Sequence, residues 1–422
     1  MNILEIANKI KEKGGTLYLV GGAVRDEILK KENHDEDYTV TGLSENEFEA
    51  LFPNAHKRGK FFGIYDIENK EFALARKEYK IGIGHKEFDI KNGKDISIEE
   101  DLSRRDITIN SMAKNVLTGE VIDIYNGKED LKNKIIRATT NAFIEDPLRV
   151  YRVARFASTL EFNVEQNTIE MMKKLKEELK SLSQERVFIE FKKALQSNKP
   201  SIFFEVLKKA NVLDVHFKEI YDLIGKSQPI EYHPEGDSYN HTMIVVDNST
   251  KLTNDLSIRF SSLVHDLGKG ITPEKMLPHH YGHDINGVKL VESFGKRLKV
   301  PQNFIKCGKV AAKEHMLGGI FNQMTPKKQV DFINRVSKSN LGLDGMKIVV
   351  MADRYRNGNF PNDINFDIIG KKMISQINGK YIKEKYGIVN TKEVGELIRK
   401  EQIEWMKKNN KKDWKEDIFN VK

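Results

Sequence analysis

The feature that most constrains the fold is a change of hydrophobic rhythm near residue 146. Before it, short apolar runs alternate with polar residues and break at glycine, as in TLYLVGG (16–22), DYTVTGL (37–43) and RGKFFGIYDIENKEFALAR (58–76). Alternation punctuated by glycine is the pattern of short strands and hairpins. TINSMAKNVLTGEVIDIYNG (108–127) repeats it, with Thr118-Gly119 at the turn. Beyond it, DPLRVYRVARFAST, NTIEMMKKLKEELKSL, ERVFIEFKKALQS and SIFFEVLKKANVL carry apolar residues at three-and-four spacing, and strand signal nearly vanishes through Lys422. The expected fold class is α+β: an N-terminal head with a small mixed sheet, then all-α neck, body and tail. A short amphipathic helix built on Ile3, Leu4, Ile6, Ala7 and Ile10 precedes the first strand and stops at Gly14-Gly15.

A chain of 422 residues is too long for one core. The rhythm change places one boundary near residue 137, and the Pro- and Gly-bearing stretch SQPIEYHPEGDS (227–238) places another. The expected division is a head (1–137), a helical neck and body (138–226), a histidine-bearing helical domain (238–340) and a helical tail (341–422). The single cysteine, Cys307, excludes an internal disulfide and a Cys-rich zinc site. No apolar run approaches the roughly 18 residues of a membrane span, and the first residues do not read as a signal peptide, so the expectation is a soluble, cytoplasmic protein without membrane contact. The formal charge of +8 is spread along the chain, which suits an anionic partner, although Lys-rich enzymes without one look similar.

Two groups of residues carry chemistry. In the first, Asp35 and Asp37 stand two apart in a predicted strand, so both side chains leave one face. Paired carboxylates are costly unless they share divalent cations, and such cations assist in-line displacement at phosphorus. Upstream, Gly21-Gly22 permits close backbone approach to a phosphate, and Arg25 can clasp the same anion. A DxD alone is most often a solvated turn; joined to the glycine pair and Arg25 it points to a nucleotide. DLSRRDITINSMA (101–113) adds Arg104, Arg105 and Asp106. EDPLRVYRVARF (145–156) sets Asp146, Arg149, Arg152 and Arg155 three apart along one helix side. Guanidiniums in a row repel one another on a surface but suit a pocket for a triphosphate and a base. Asp146 and Arg149 together could accept from the exocyclic amino group and donate to the neighbouring acceptor that cytosine and adenine share.

The second group lies downstream. His265-Asp266 interrupts an apolar helical run, with His241 before it and His283, His315 and Asp353 after it. Imidazole and carboxylate ligate divalent metals, and separate helices would bring these residues together. A lone histidine in an apolar stretch is usually just packed, but the ordered series points to a metal centre.

LVGGAVRD, DEDYTV, RRDITIN, EDPLR and SQERVFIE (183–190), in that order, resemble the motif series of the bacterial class II tRNA nucleotidyltransferases, the CCA-adding enzymes. The resemblance implies that Asp35 and Asp37 bind Mg²⁺, with Glu71 as a third acid; that Gly22, Arg25 and Arg105 contact the nucleotide; and that Asp146, Arg149, Arg152 and Arg155 template its base and phosphates. RKEYKIGIGHKEF (76–88) resembles the family's flexible loop, and its length favours complete CCA addition. The downstream half resembles the HD phosphohydrolase superfamily, with His241, His265, Asp266 and Asp353 as core ligands and His283 and His315 at auxiliary positions. The metal there is left open among Ni²⁺, Mn²⁺ and Mg²⁺. A nucleotidyltransferase followed by an HD domain is the arrangement of the multifunctional CCA proteins of some bacteria. It implies addition of the tRNA 3′-terminal CCA from CTP and ATP, together with 2′,3′-cyclic phosphodiesterase, 2′-nucleotidase and phosphatase activities. The helix before TLYLVGG and the Lys-rich tail depart from that pattern. The partner implied is the tRNA acceptor arm, recognised by shape and phosphate charge, with basic helices around 172–193 and the tail as candidate contacts. Monomer and homodimer both remain open, as do a poly(A) polymerase, a CC- or A-only enzyme, a non-catalytic RNA-binding protein and a chain whose main work is hydrolysis.

Overall fold

The computed structural model describes residues 1–31, 36–58, 63–80, 88–231, 233–356, 358–387 and 390–409. The chain divides into two compact units, Met1–His216 and Phe217–Lys422. No helix among the described residues is long and apolar enough to cross a membrane.

In the first unit the strands are β1 (Thr16–Val20), β2 (Asp37–Thr41), β3 (His56–Arg58), β4 (Ile64–Ile67), β5 (Lys70–Leu74), β6 (Arg76–Lys80), β7 (Phe88–Asn92), β8 (Ala113–Asn115) and β9 (Val121–Ile122). Among the described residues, seven of them form one sheet in the order β3-β4-β5-β2-β1-β8-β9, and β6 pairs with β7 apart from it. β1 runs antiparallel to β2 and β8, whereas β2 runs parallel to β5, which sets Asp37 directly across from Glu71. The helices that matter for the site are α1 (Ile3–Glu12), α2 (Gly22–Ile28), α3 (Glu45–Leu51), α4 (Ile98–Ser103), α5 (Gly127–Asn133) and α6 (Leu148–Leu160).

These elements form where local chemistry favours them. Asn2 starts α1 with a capping box: its Oδ1 accepts from the Glu5 N–H at 3.0 Å, and the Glu5 carboxylate accepts from the Asn2 N–H at 3.0 Å. Ser97 and Glu100 start α4 in the same way. Ile6, Ala7 and Ile10 of α1 pack on Leu17, Tyr38, Val40, Phe48, Tyr65, Phe72 and Leu74, all buried. Each large side chain fully buried there contributes about 1.5–3 kcal/mol. That core fixes β2 and β5, and therefore the carboxylates at their ends.

Two details differ from the sequence pattern, the first being that Thr108–Asn110, read as the start of a strand pair, forms a short 3-10 turn before β8. Asn163–Val164, inside the helical stretch, pairs in parallel with Ile135–Ile136. Two-residue strands are too short to show alternation.

The second unit is helical, with isolated bridges the only strand-like pairings among its described residues. The helices Ser238–Thr250, His283–Arg297, Gln302–Gly319 and Gly342–Asp353 supply His241, His283, His315 and Asp353, while His265 and Asp266 lie in the turn that ends the helix Leu256–Val264. Phe260, Leu263, Val264, Phe294, Ala311, Met346 and Val350 are buried between them. Gly268 explains one close approach. A Cβ there would lie 1.9 Å from the His283 carbonyl oxygen, so only glycine lets the turn after Asp266 meet the start of the His283 helix.

Candidate active sites

In the first unit a cavity of about 590 Å³ is lined by Gly21, Gly22, Arg25, Asp37, Glu71, Arg105, Asp106, Asp146, Arg149, Arg152 and Arg155, among others. Every residue of the first group that the structure describes therefore meets in one space. Asp35 lies outside the described residues, as do residues 81–87 of the loop segment. Asp37 and Glu71 stand side by side on the parallel strands β2 and β5. Partial desolvation pushes the Glu71 carboxyl above its usual range, and the neighbouring Asp37 charge adds to the effect. Such a pair of carboxylates is a hard oxygen donor set that suits a divalent cation.

The opposite charges in this cavity are held in place. Arg25 donates from Nε and Nη2 to both Asp26 carboxylate oxygens at 2.8 and 2.9 Å, and from Nη1 to Asn110 Oδ1 at 2.8 Å. Arg104 and Arg105 share the buried Asp101. Burial alone would raise that carboxyl, but the two guanidiniums hold it at about 2. Arg105 also reaches to 3.0 Å from where a Cβ on Gly21 would sit, so the glycine turn and this arginine need each other's room.

The arginine row of α6 is anchored member by member, and Arg152 and Arg155 are neutralised by carboxylates. Arg149 is buried and donates to the Ala142 and Arg104 carbonyl oxygens. Arg152 pairs with Asp106 at 2.7 Å. Burial of Asp106 is outweighed by that guanidinium, leaving its carboxyl at about 2. Arg155 donates from Nε to Glu190 at 2.5 Å. Asp146 accepts from the Leu148 N–H at 2.8 Å and lies 3.9 Å from Arg186. Asp106 stood in the first group without a stated role, and Arg186 and Glu190, inside SQERVFIE, were given no part in the site. Their role depends on pairing across 46 and 35 residues.

In the second unit His241, His265, Asp266, His283, His315 and Asp353 converge. Asp266 lies at the centre. Its Oδ2 is 3.2 Å from His265 Nε2 and 3.7 Å from His241 Nε2, while its Oδ1 is 3.5 Å from His283 Nε2 and 3.4 Å from His315 Nε2. His241 Nε2 lies 3.0 Å from Asp353 Oδ1. Burial would raise both acids, but Lys269 and the imidazoles around Asp266, and His241 beside Asp353, hold them well below the usual carboxylate range.

The donor set fits a metal on structural grounds. His265 Nδ1 donates to the Ser262 carbonyl at 2.8 Å, His283 Nδ1 to His280 at 2.7 Å, and His315 Nδ1 to Ala311 at 2.9 Å. A carbonyl can only accept, so each Nδ1 carries a proton, which leaves each Nε2, turned inward, as the nitrogen available to a metal. The buried atoms His241 Nε2, His265 Nε2, His283 Nε2 and Asp266 Oδ1 have no hydrogen-bond partner among the described residues. Leaving four such atoms unsatisfied is costly unless a cation accepts them.

Three residues beside this centre were not singled out from the sequence. Glu235 accepts from His241 Nδ1 at 2.6 Å and lies 3.1 Å from His233 Nδ1. Lys269 is buried, with its ammonium 2.6 Å from both Asp266 Oδ2 and Gln228 Oε1. The stretch HPEGD read only as a connection. A lysine three residues after the acid in HDLGK is the one local signal that could have disclosed Lys269.

An acidic strand end facing a row of arginines, and a separate cluster of imidazoles about an aspartate, define a nucleotidyltransferase head joined to an HD-type centre. Residues 17–137 match the family described as "Poly A polymerase head domain", residues 161–223 the "Probable RNA and SrmB- binding site of polymerase A", and residues 238–330 the "HD domain". The chain is 43% identical over 312 residues to the multifunctional CCA protein of Haemophilus influenzae (strain PittGG), covering 71% of this chain and 74% of that protein. It belongs to that family, the CCA-adding nucleotidyltransferases with an HD phosphohydrolase domain. Its fold is that of a CCA-adding enzyme solved with ATP (TM-score 0.64, 20% identity, 96% of this chain and 90% of that one). It is also that of the Thermotoga maritima CCA-adding enzyme solved with tRNA (TM-score 0.63, 19% identity, 95% and 90%). Nucleotidyltransferase and HD domains imply dependence on divalent metals.

Proposed function

We propose that this chain builds and repairs the 3′-terminal CCA of tRNA from CTP and ATP without a nucleic-acid template. The tRNA 3′-hydroxyl attacks the nucleotide α-phosphate and pyrophosphate leaves. The observation that carries this reading is the single cavity in which Asp37 and Glu71 meet Arg25, Arg105, Asp146 and the arginines of α6. Divalent cations, taken to be Mg²⁺, would be held by Asp35 and Asp37, with Glu71 beside them, and when bound would neutralise charge at the reacting phosphate. Gly22, Arg25 and Arg105 bind the triphosphate. Asp146 and Arg149 read the amino-bearing edge common to cytosine and adenine, while Arg152 and Arg155 shape the pocket and balance its charge. Because α6 is anchored to Asp106 and Glu190, this readout is built before substrate arrives, so little of the positioning cost falls on the reaction.

In the second unit His241, His265, Asp266 and Asp353, assisted by His283 and His315, would hold Ni²⁺, Mn²⁺ or Mg²⁺ for hydrolysis of phosphoesters, namely 2′,3′-cyclic phosphates, 2′-nucleotides and phosphomonoesters. The chain then works as head (1–137), neck and body (138–226), HD domain (238–340) and tail (341–422), in the cytoplasm, on the tRNA acceptor arm, as monomer or homodimer.

The test is extension of tRNA lacking CCA with CTP and ATP, separately and together, by the wild type and the Asp35→Ala and His265→Ala variants. Sequential addition of CC and then A, lost in Asp35→Ala and kept in His265→Ala, is the expected result. Long A tails would instead identify a poly(A) polymerase. Phosphate release without extension would make hydrolysis the main activity, and binding without either would leave an RNA-binding protein.

A further inference from the structure

We infer that Phe156 is a positioning residue of the nucleotide cavity, its ring acting as a common seat for the guanidiniums of Arg25, Arg152 and Arg155. This rests on the nucleotidyltransferase reading of the first unit. Phe156 is 7% exposed and lines the cavity. The Arg155 guanidinium carbon lies 3.8 Å from its ring centroid, that of Arg25 5.4 Å and that of Arg152 5.6 Å. Arg25 comes from α2, on the side of the sheet, and the other two from α6, so one ring joins both walls of the cavity.

Three cations this close to one centre repel unless something negative stands among them. Asp26, Asp106 and Glu190 each tether one guanidinium by its edge. Arg25 is also fixed by its fork on Asp26 and by Asn110, but the single bond from Arg155 to Glu190 leaves that guanidinium free to swing about the carboxylate. The negative face of an aromatic ring attracts cations within about 6 Å of its centroid and so adds a second point of attachment. A leucine of similar bulk would fill the same space without that attraction. If Phe156 were only packing, leucine would serve.

The test uses the full-length chain and tRNA lacking CCA, with KM and kcat measured for CTP and for ATP. Phe156→Leu is expected to raise both KM values about tenfold while kcat stays within about threefold, the size of effect a few such contacts give. Phe156→Tyr keeps the ring face and is expected to restore KM to within about twofold of wild type. Thermal unfolding of each variant reports on folding; should Phe156→Leu fail to fold, Phe156→Met removes the ring with less loss of adaptability, and the same KM pattern is required of it. A Phe156→Leu or Phe156→Met enzyme with wild-type KM overturns the inference, and so does a Phe156→Tyr enzyme as impaired as the leucine variant. A wild type that extends no tRNA overturns the functional reading and this inference with it, whereas unchanged KM in an active enzyme overturns the inference alone.

Discussion

His241 donates its Nδ1 proton to Glu235 Oε1 across 2.6 Å, which turns the Nε2 lone pair toward Asp266 and Asp353. A carboxylate behind a ligating imidazole fixes its tautomer and raises its basicity. Glu235→Ala should therefore lower metal affinity at the HD centre by about 10- to 100-fold, and Glu235→Gln, which keeps an acceptor, by less. Bound metal measured by atomic emission after dialysis checks this without reference to activity. Retention of wild-type metal in Glu235→Ala would refute it.

Removing Asp37 should disable only one of the two centres. Asp37→Asn is expected to reduce CCA addition by at least about a hundredfold, since charge stabilisation at the reacting phosphate is lost. Metal-dependent phosphate release by the second unit should remain at the wild-type level. Assaying both activities on one preparation decides it.

The pH dependence of stability has opposite signs at two places in the head. Asp101 and Asp106 are held at about 2, below the usual value for aspartate. Their stabilising contribution is present at neutral pH and is lost as pH falls from about 4 toward about 2. Glu71 is raised by partial desolvation and by the Asp37 charge beside it, so its ionisation opposes folding, weakly because the residue is exposed, as pH rises through its folded value. Glu71→Gln should thus melt at a higher temperature than wild type at neutral pH in the presence of a chelator, and lose that advantage in acid. Thermal scans at several pH values measure both trends.

Breaking the Asp106–Arg152 pair should be costly. Asp106 is buried and Arg152 partly exposed, so Asp106→Ala is expected to destabilise by about 2–3 kcal/mol, below the cost of breaking a fully buried pair. It should also raise KM for both nucleotides, because Arg152 loses its anchor. Denaturant unfolding and steady-state kinetics test the two parts separately.

Binding of tRNA should weaken with salt. With a formal charge of +8, the chain is expected to lose about tenfold or more in affinity for tRNA between about 50 and 200 mM salt. Filter binding at several salt concentrations gives the slope, and a flat response would argue for a base-specific, uncharged contact instead.

Much of this protein was determined by its sequence alone. The rhythm change near residue 146 separated the mixed head from the helical remainder because periodicity is a local property that survives without knowledge of contacts. The arginine series of α6 was legible because steps of three along one helix already imply a shared side, and Arg25 because it follows a glycine pair. Only the tertiary structure decided what stands beside them. Glu71 reaches Asp37 through parallel pairing of β2 and β5, Asp106 and Glu190 anchor α6 from elsewhere in the chain, and Glu235 and Lys269 complete the HD centre. The reason is physical: a charge is tolerated in a protein interior only beside its partner, and partners are chosen by folded geometry, where sequence distance carries no weight.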